Sequence, residues 1–130
     1  MTAHKREVAE QALKAWQEGA RTGDWLQLIG MLADDVTVTM PFGEKWRGTK
    51  HGRTEARELF RHAAEDLSIR LDQQPSSALM GDGAGSFAWE LVGEGTVGGK
   101  PAHVPICLWF TVSDDGKVAA IREYVGDPPS

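Results

Sequence analysis

Cysteine is nearly absent from this sequence. Cys107 stands alone among 130 residues, which excludes an internal disulfide and any multi-thiolate metal centre. The four histidines, His4, His51, His62 and His103, show no His-x-x-x-His spacing, so no metal site is predicted. An excess of basic residues is missing too. The formal charge is -5, whereas a nucleic-acid surface needs a basic stripe. No run approaches the roughly 20 apolar residues of a membrane span. The opening "MTAHKREVAEQALKAW" is amphipathic and charged, without the apolar core of a signal peptide. The expectation is a cytoplasmic protein with no nucleic-acid or membrane partner. What is present, 41% hydrophobic and 25% charged residues, suits a globular chain long enough for one real core.

The periodicities predict helices first and strands after. Over residues 4–20, Val8, Ala12 and Trp16 share a stripe with Ala9, Leu13 and Ala20 at helical spacing. Gly23 breaks that helix. Asp24 is expected to cap a second one, with Gln27 as the capping-box partner and Trp25, Leu28, Ile29 and Leu32 on its apolar face. "DDVTVTMP" alternates as a short strand stopped by Pro41, and residues 41–52, with three glycines, read as a loop. "RTEARELFRHAAEDL" is a third helix with Ala56, Leu59, Phe60, Ala63 and Leu67 inward. The rest is strand signal: "SIRLDQQ", "GSFAWELVGEG", "HVPICLWFTV" and "VAAIREYV", with turns at Gly98-Gly99 and "SDDG". The fold class is α+β, three N-terminal helices packed on one face of a curved, mostly antiparallel sheet.

Strand alternation singles out one residue. In the last strand, Ile121, Glu123 and Val125 share a face, and two turn lengths within "SDDG" place either Ile106 or Leu108 opposite Glu123. Either way Glu123 shares its face with Val104, Ile106, Leu108 and Phe110. A register centred on the glycine pair is expected to set Glu90 opposite Leu108 and Val92 opposite Ile106, on that same face. The other face then carries Phe87, Trp89, Leu91, Cys107, Trp109, Arg122 and Tyr124. Both faces are largely apolar, so one is expected to pack on the helices and the other on a second copy of the chain.

These elements, in this order, resemble a known group. "GDWLQLIGMLADDVTVTMPFGEKWRG", then "GRTEARELF", then strands ending "GKVAAIREYVGD", look like the nuclear transport factor two-like superfamily. That superfamily includes ketosteroid isomerase, limonene-epoxide hydrolase and the SnoaL-like polyketide cyclases. The resemblance implies a cone-shaped α+β barrel over residues 1–127, with 128–130 a short tail, a deep apolar pocket, and a homodimer formed through the outer sheet face. It also implies what this chain has lost. The isomerase's base precedes the strand-ending proline, and Met40 stands there. Its first-helix tyrosine falls on Trp16, and its second acid on Cys107 or Leu108. Steroid isomerisation is therefore not expected. The epoxide hydrolase's arginine falls on Glu90 and its partner aspartate on Val92. Its base, in a W-R-D-Y-F pattern, matches Glu123 in "IREYV".

The candidate catalytic residues are thus Glu123 and Glu90. A carboxyl enclosed by Ile106, Leu108 and Ile121 is poorly hydrated, and a neighbouring glutamate raises its pKa further, which suits a general acid or base. Trp16, Met40, Trp46, Val92, Val104, Ile106, Leu108, Phe110 and Ile121 are the expected pocket wall. Two functions stay open. One is a cofactor-independent enzyme performing isomerase-, cyclase- or hydrolase-type acid–base chemistry on a small apolar molecule. The other is a non-catalytic ligand-binding or scaffold protein of the same fold.

Overall fold

Helix α1, Thr2–Thr22, buries Val8, Ala9, Ala12, Leu13, Trp16 and Ala20, the stripe that its sequence spacing predicts. The computed structural model to which it belongs describes residues 2–41 and 48–126, so Trp46 and the expected tail at 128–130 lie outside the described residues. Helix α2 is short, Leu26–Ile29. The Asp24 carboxylate accepts from the Leu26 N–H at 3.1 Å, and Gln27 makes no return bond, so the expected capping box is replaced by a simple Asx turn. Helix α3, Gly52–Arg61, continues into a π-helical turn, His62–Asp66, and together they bury Ala56, Leu59, Phe60, Ala63 and Ala64.

Seven strands form one sheet among the described residues: β1 Leu32–Met40, β2 Gly48–His51, β3 Ile69–Pro75, β4 Met80–Gly81, β5 Ser86–Val97, β6 Lys100–Val112 and β7 Val118–Val125. The main order is β2-β1-β7-β6-β5-β3, with β4 beside β5. All pairings are antiparallel except β1 with β7, so the sheet is mixed, curved around the helices and open at β2 and β3. The sequence reading had residues 41–52 as loop, and β2 corrects it. This edge strand, "GTKH", has no buried residue and therefore no apolar alternation to reveal it.

The turn after β5 settles the register. Gly98 and Gly99 have φ of 60° and 79°, a two-residue turn that only residues tolerant of positive φ make cheaply. It closes Val97 onto Lys100, and so sets Trp89 opposite Leu108 and Glu90 opposite Cys107. That is one residue away from the expected register, and one residue turns every β5 side chain to the other face. Phe87, Trp89 and Leu91 point inward with Ile106, Leu108 and Phe110, while Glu90 and Val92 point outward. Between β6 and β7, Ser113 pairs with Lys117 around a three-residue turn, and a register shift at Thr111–Val112 then sets Leu108 opposite Glu123, the pairing expected of the shorter turn.

Aromatic rings fill the space between helices and sheet. Trp16 meets Trp25, Phe60 and Phe110 edge-on, at centroid distances of 5.1, 6.0 and 6.3 Å. Trp25 stacks on Phe60 at 4.6 Å. Trp25 fits only because α1 passes it with a glycine: a Cβ on Gly19 would stand 2.3 Å from the indole. Gly19→Ala should therefore lower stability by about 1–3 kcal/mol in urea denaturation, overpacking outweighing the helix propensity gained. In a Trp25→Leu background the same change should become neutral or stabilising.

Candidate functional site

Among the described residues, the buried polar or charged side chains are Glu123 and Gln73. Glu123 lies near the end of β7 and is 2% exposed. The β7 pleat aims it inward, because Ile121 and Leu108, its neighbours along and across the sheet, are inward as well. Its Oε1 has no hydrogen-bond partner among the described residues. Among the described residues no donor and no cation favours the charged form, so desolvation acts alone on the carboxyl, and its pKa rises from 4.5 to about 8.

Gln73 sits on β3, in the same alternation as Ile69 and Leu71. The Trp16 indole N–H donates to its Oε1 at 2.7 Å, and the Gln17 side-chain amide donates to its backbone carbonyl at 2.8 Å. Gln73 and Glu123 line one hollow of ≈ 20 Å³, walled by Trp16, Ala20, Trp25, Met40, Ala63, Ile69 and Leu71. That volume admits about one water. Polar surface is scarce in it, so any charge placed there is poorly screened.

The expected site residues separate into three groups. Trp16, Met40 and Glu123 meet at the hollow. Val104, Ile106, Leu108, Phe110 and Ile121 are buried on the inner face and pack beneath it as core, without lining it. Glu90 and Val92 do not belong there, for the register reason above. Glu90 is exposed and borders an outer-face depression of ≈ 420 Å³ with Cys107, Pro105 and Tyr124. The expected repulsion between two inward glutamates is accordingly replaced by desolvation alone as the cause of the raised pKa. Burial, with Glu90 nearby, also pushes the Cys107 thiol up, away from reactivity.

Sequence reasoning missed Gln73. The signal was available, since "SIRLDQQ" puts a polar residue at the third inward position after Ile69 and Leu71. His103, on the outer face, pairs with Glu94 at 3.0 Å, and both side chains are exposed.

Comparison with known proteins agrees with this architecture. Residues 9–121 match the SnoaL-like domain family. The sequence has no significant match among curated proteins. Among solved structures, an NTF2-like protein from Anabaena variabilis is similar at TM-score 0.84 and 27% identity, covering 95% of this chain and 90% of that one. Bal32a, from a soil-derived mobile gene cassette, aligns at TM-score 0.76 and 17% identity, covering 97% and 92%. The epoxide hydrolase/cyclase-like enzyme SalBIII, associated with pyran ring formation in the polyether salinomycin, aligns at TM-score 0.70 and 23% identity, covering 94% and 90%.

The raised carboxyl sets a pH dependence of folding. The unfolded chain releases this proton near pH 4.5 and the folded chain near pH 8, so stability is highest below 4.5, falls through the interval and levels above 8. The loss amounts to roughly 3 kcal/mol by pH 7, at 1.36 kcal/mol per unit. Urea denaturation between pH 4.5 and 7 should show Glu123→Gln gaining on the parent by about that amount. A constant difference across the range would mean that the carboxyl is hydrated.

Proposed function

The chain belongs to the SnoaL-like domain family, and from that premise we propose that it is a cofactor-independent enzyme performing acid–base chemistry on a small, mostly apolar molecule. The observation that carries this reading is the Glu123 carboxyl, buried with an unpaired oxygen in a hollow of apolar walls. A structural carboxylate would be paired, and this one weakens the fold at neutral pH, which is the mark of a group kept for chemistry. At pH 7 it carries its proton and acts first as a general acid. Glu123 gives that proton to a ligand oxygen as a carbonyl is polarised or a C–O bond opens. The carboxylate so formed takes a proton from the attacking hydroxyl or from a carbon acid, restoring the acid. Isomerisation, cyclisation and ring opening all fit this cycle. SalBIII, with the same fold, is a ring-forming precedent for it.

The volume favours a second reading. A hollow of ≈ 20 Å³ is too small for such a ligand, so the enzyme has to widen on binding, whereas a scaffold protein needs no such change. A panel of small epoxides, ketones and diketones separates the two. Expected for the enzyme is turnover that falls at least ~100-fold in Glu123→Gln, with a parent rate that is level at low pH and declines above about 8. Unchanged turnover in the variant removes Glu123 from the mechanism. No turnover across the panel favours the scaffold.

The proposal includes a homodimer through the outer sheet face. Supporting it, Tyr124 is 48% exposed there, the Arg122 guanidinium lies 5.2 Å over the Trp109 ring, and Cys107 and Val92 add apolar surface. Sedimentation of the parent as a dimer, and of Tyr124→Glu as a monomer, is the expected outcome. A monomeric parent removes the dimer from the proposal.

A further inference from the structure

The hollow has a second polar group whose orientation is fixed. An indole N–H only donates, so the Gln73 amide has to present its oxygen to Trp16, as the 2.7 Å bond records. The NH2 group is then the free end. It has no partner among the described residues, on a side chain that is 3% exposed and borders the same space as Glu123. Rotation of the residue is resisted on three sides: by the indole, by Gln17 on its carbonyl, and by the β3 ladder, where it pairs with Gly93. A donor left unused on so enclosed a side chain gains from a partner that accepts from it.

We propose that Gln73 is the ligand-positioning donor of the hollow: its NH2, aimed by Trp16, hydrogen-bonds the oxygen of a small uncharged ketone, epoxide or cyclic ether held beside Glu123. The chemistry that remains after Trp16 is satisfied supports this class. With its oxygen turned to the indole, the amide presents its N–H, and a protonated Glu123 offers an O–H, so a bare oxygen acceptor completes both. A carboxylate would be desolvated against aliphatic walls with no cation among the described lining residues. Trp16 is thereby a positioning residue that acts through Gln73.

The proposal rests on the acid–base reading only in placing a ligand in this hollow, and its test reads binding instead of turnover. Met40→Ala widens the hollow at its wall. In that background cyclopentanone and methylenecyclopentane, which share a shape and differ in the acceptor, are titrated by protein-observed NMR, and the ketone's carbonyl stretch is followed in the infrared. Cyclopentanone should bind about five- to tenfold more tightly than the hydrocarbon, with a red-shifted carbonyl. Adding Gln73→Met together with Trp16→Phe removes both partners of the internal bond and leaves no orphan, so the fold should hold, as far-ultraviolet circular dichroism checks. The ketone preference and the red shift should then drop to what Glu123 alone supports. Equal affinity for the two probes, binding of neither, or a preference untouched by the Gln73 change overturns the proposal. A Gln73-dependent preference without turnover of any substrate leaves it standing and removes the enzyme reading.

Discussion

The pleat of β6 is the constraint on which the rest depends. This strand lies between β5 and β7, and its alternation sends Val104, Ile106, Leu108, Phe110 and Val112 to the helices. Each neighbour inherits its inward set from the turn that joins it to β6. On one side that turn, together with the bulge near Thr111, brings Glu123 inward; on the other it brings Trp89 inward and Glu90 out. A single-residue change in either turn would exchange a lone buried acid for a different chemistry, or for none.

The helices act on the same space from above. Trp16, Trp25 and Phe60 are set by the α1 stripe, the Gly19 contact and the α3 face, and their edge-on packing leaves little volume around Glu123. Filling the interior and keeping a bare carboxyl in it are opposed demands. Packing raises stability and dries the carboxyl; drying the carboxyl lowers stability once the solution is more alkaline than the unfolded side chain's titration. The Trp16–Gln73 bond belongs to both demands, since it satisfies a buried indole and leaves an amide donor beside the acid.

Much of this was legible in the residues. The α1 stripe, the inward Ala56, Leu59, Phe60 and Ala63, and the face that Glu123 shares follow from periods of 3.6 and 2, and the family resemblance turned that face inward. The expected α2 face ran past a helix that ends at Ile29, with Leu32 opening β1. The order of elements was enough to indicate the family's fold. What failed did so for physical reasons. The face of Glu90 hangs on whether a glycine pair makes a tight turn or a longer one, and glycine permits both. Edge strand β2 fully buries nothing, so its sequence carries no apolar alternation. Gln73 was readable by alternation, but its meaning lies in a bond to Trp16, 57 positions away in sequence. Which rings crowd the acid, and how much room they leave, is a property of packing that no local pattern encodes.

The isolation of Glu123 reaches the energetics of folding through the solvent. Near neutrality the unfolded side chain is ionised and the folded one is not, so each chain that folds takes up close to one proton from the buffer. The heat of unfolding therefore includes the heat of protonating whatever buffer accepts that proton. Calorimetry in phosphate and in Tris, whose ionisation heats differ, would report different enthalpies for the same transition, and the difference counts the protons exchanged.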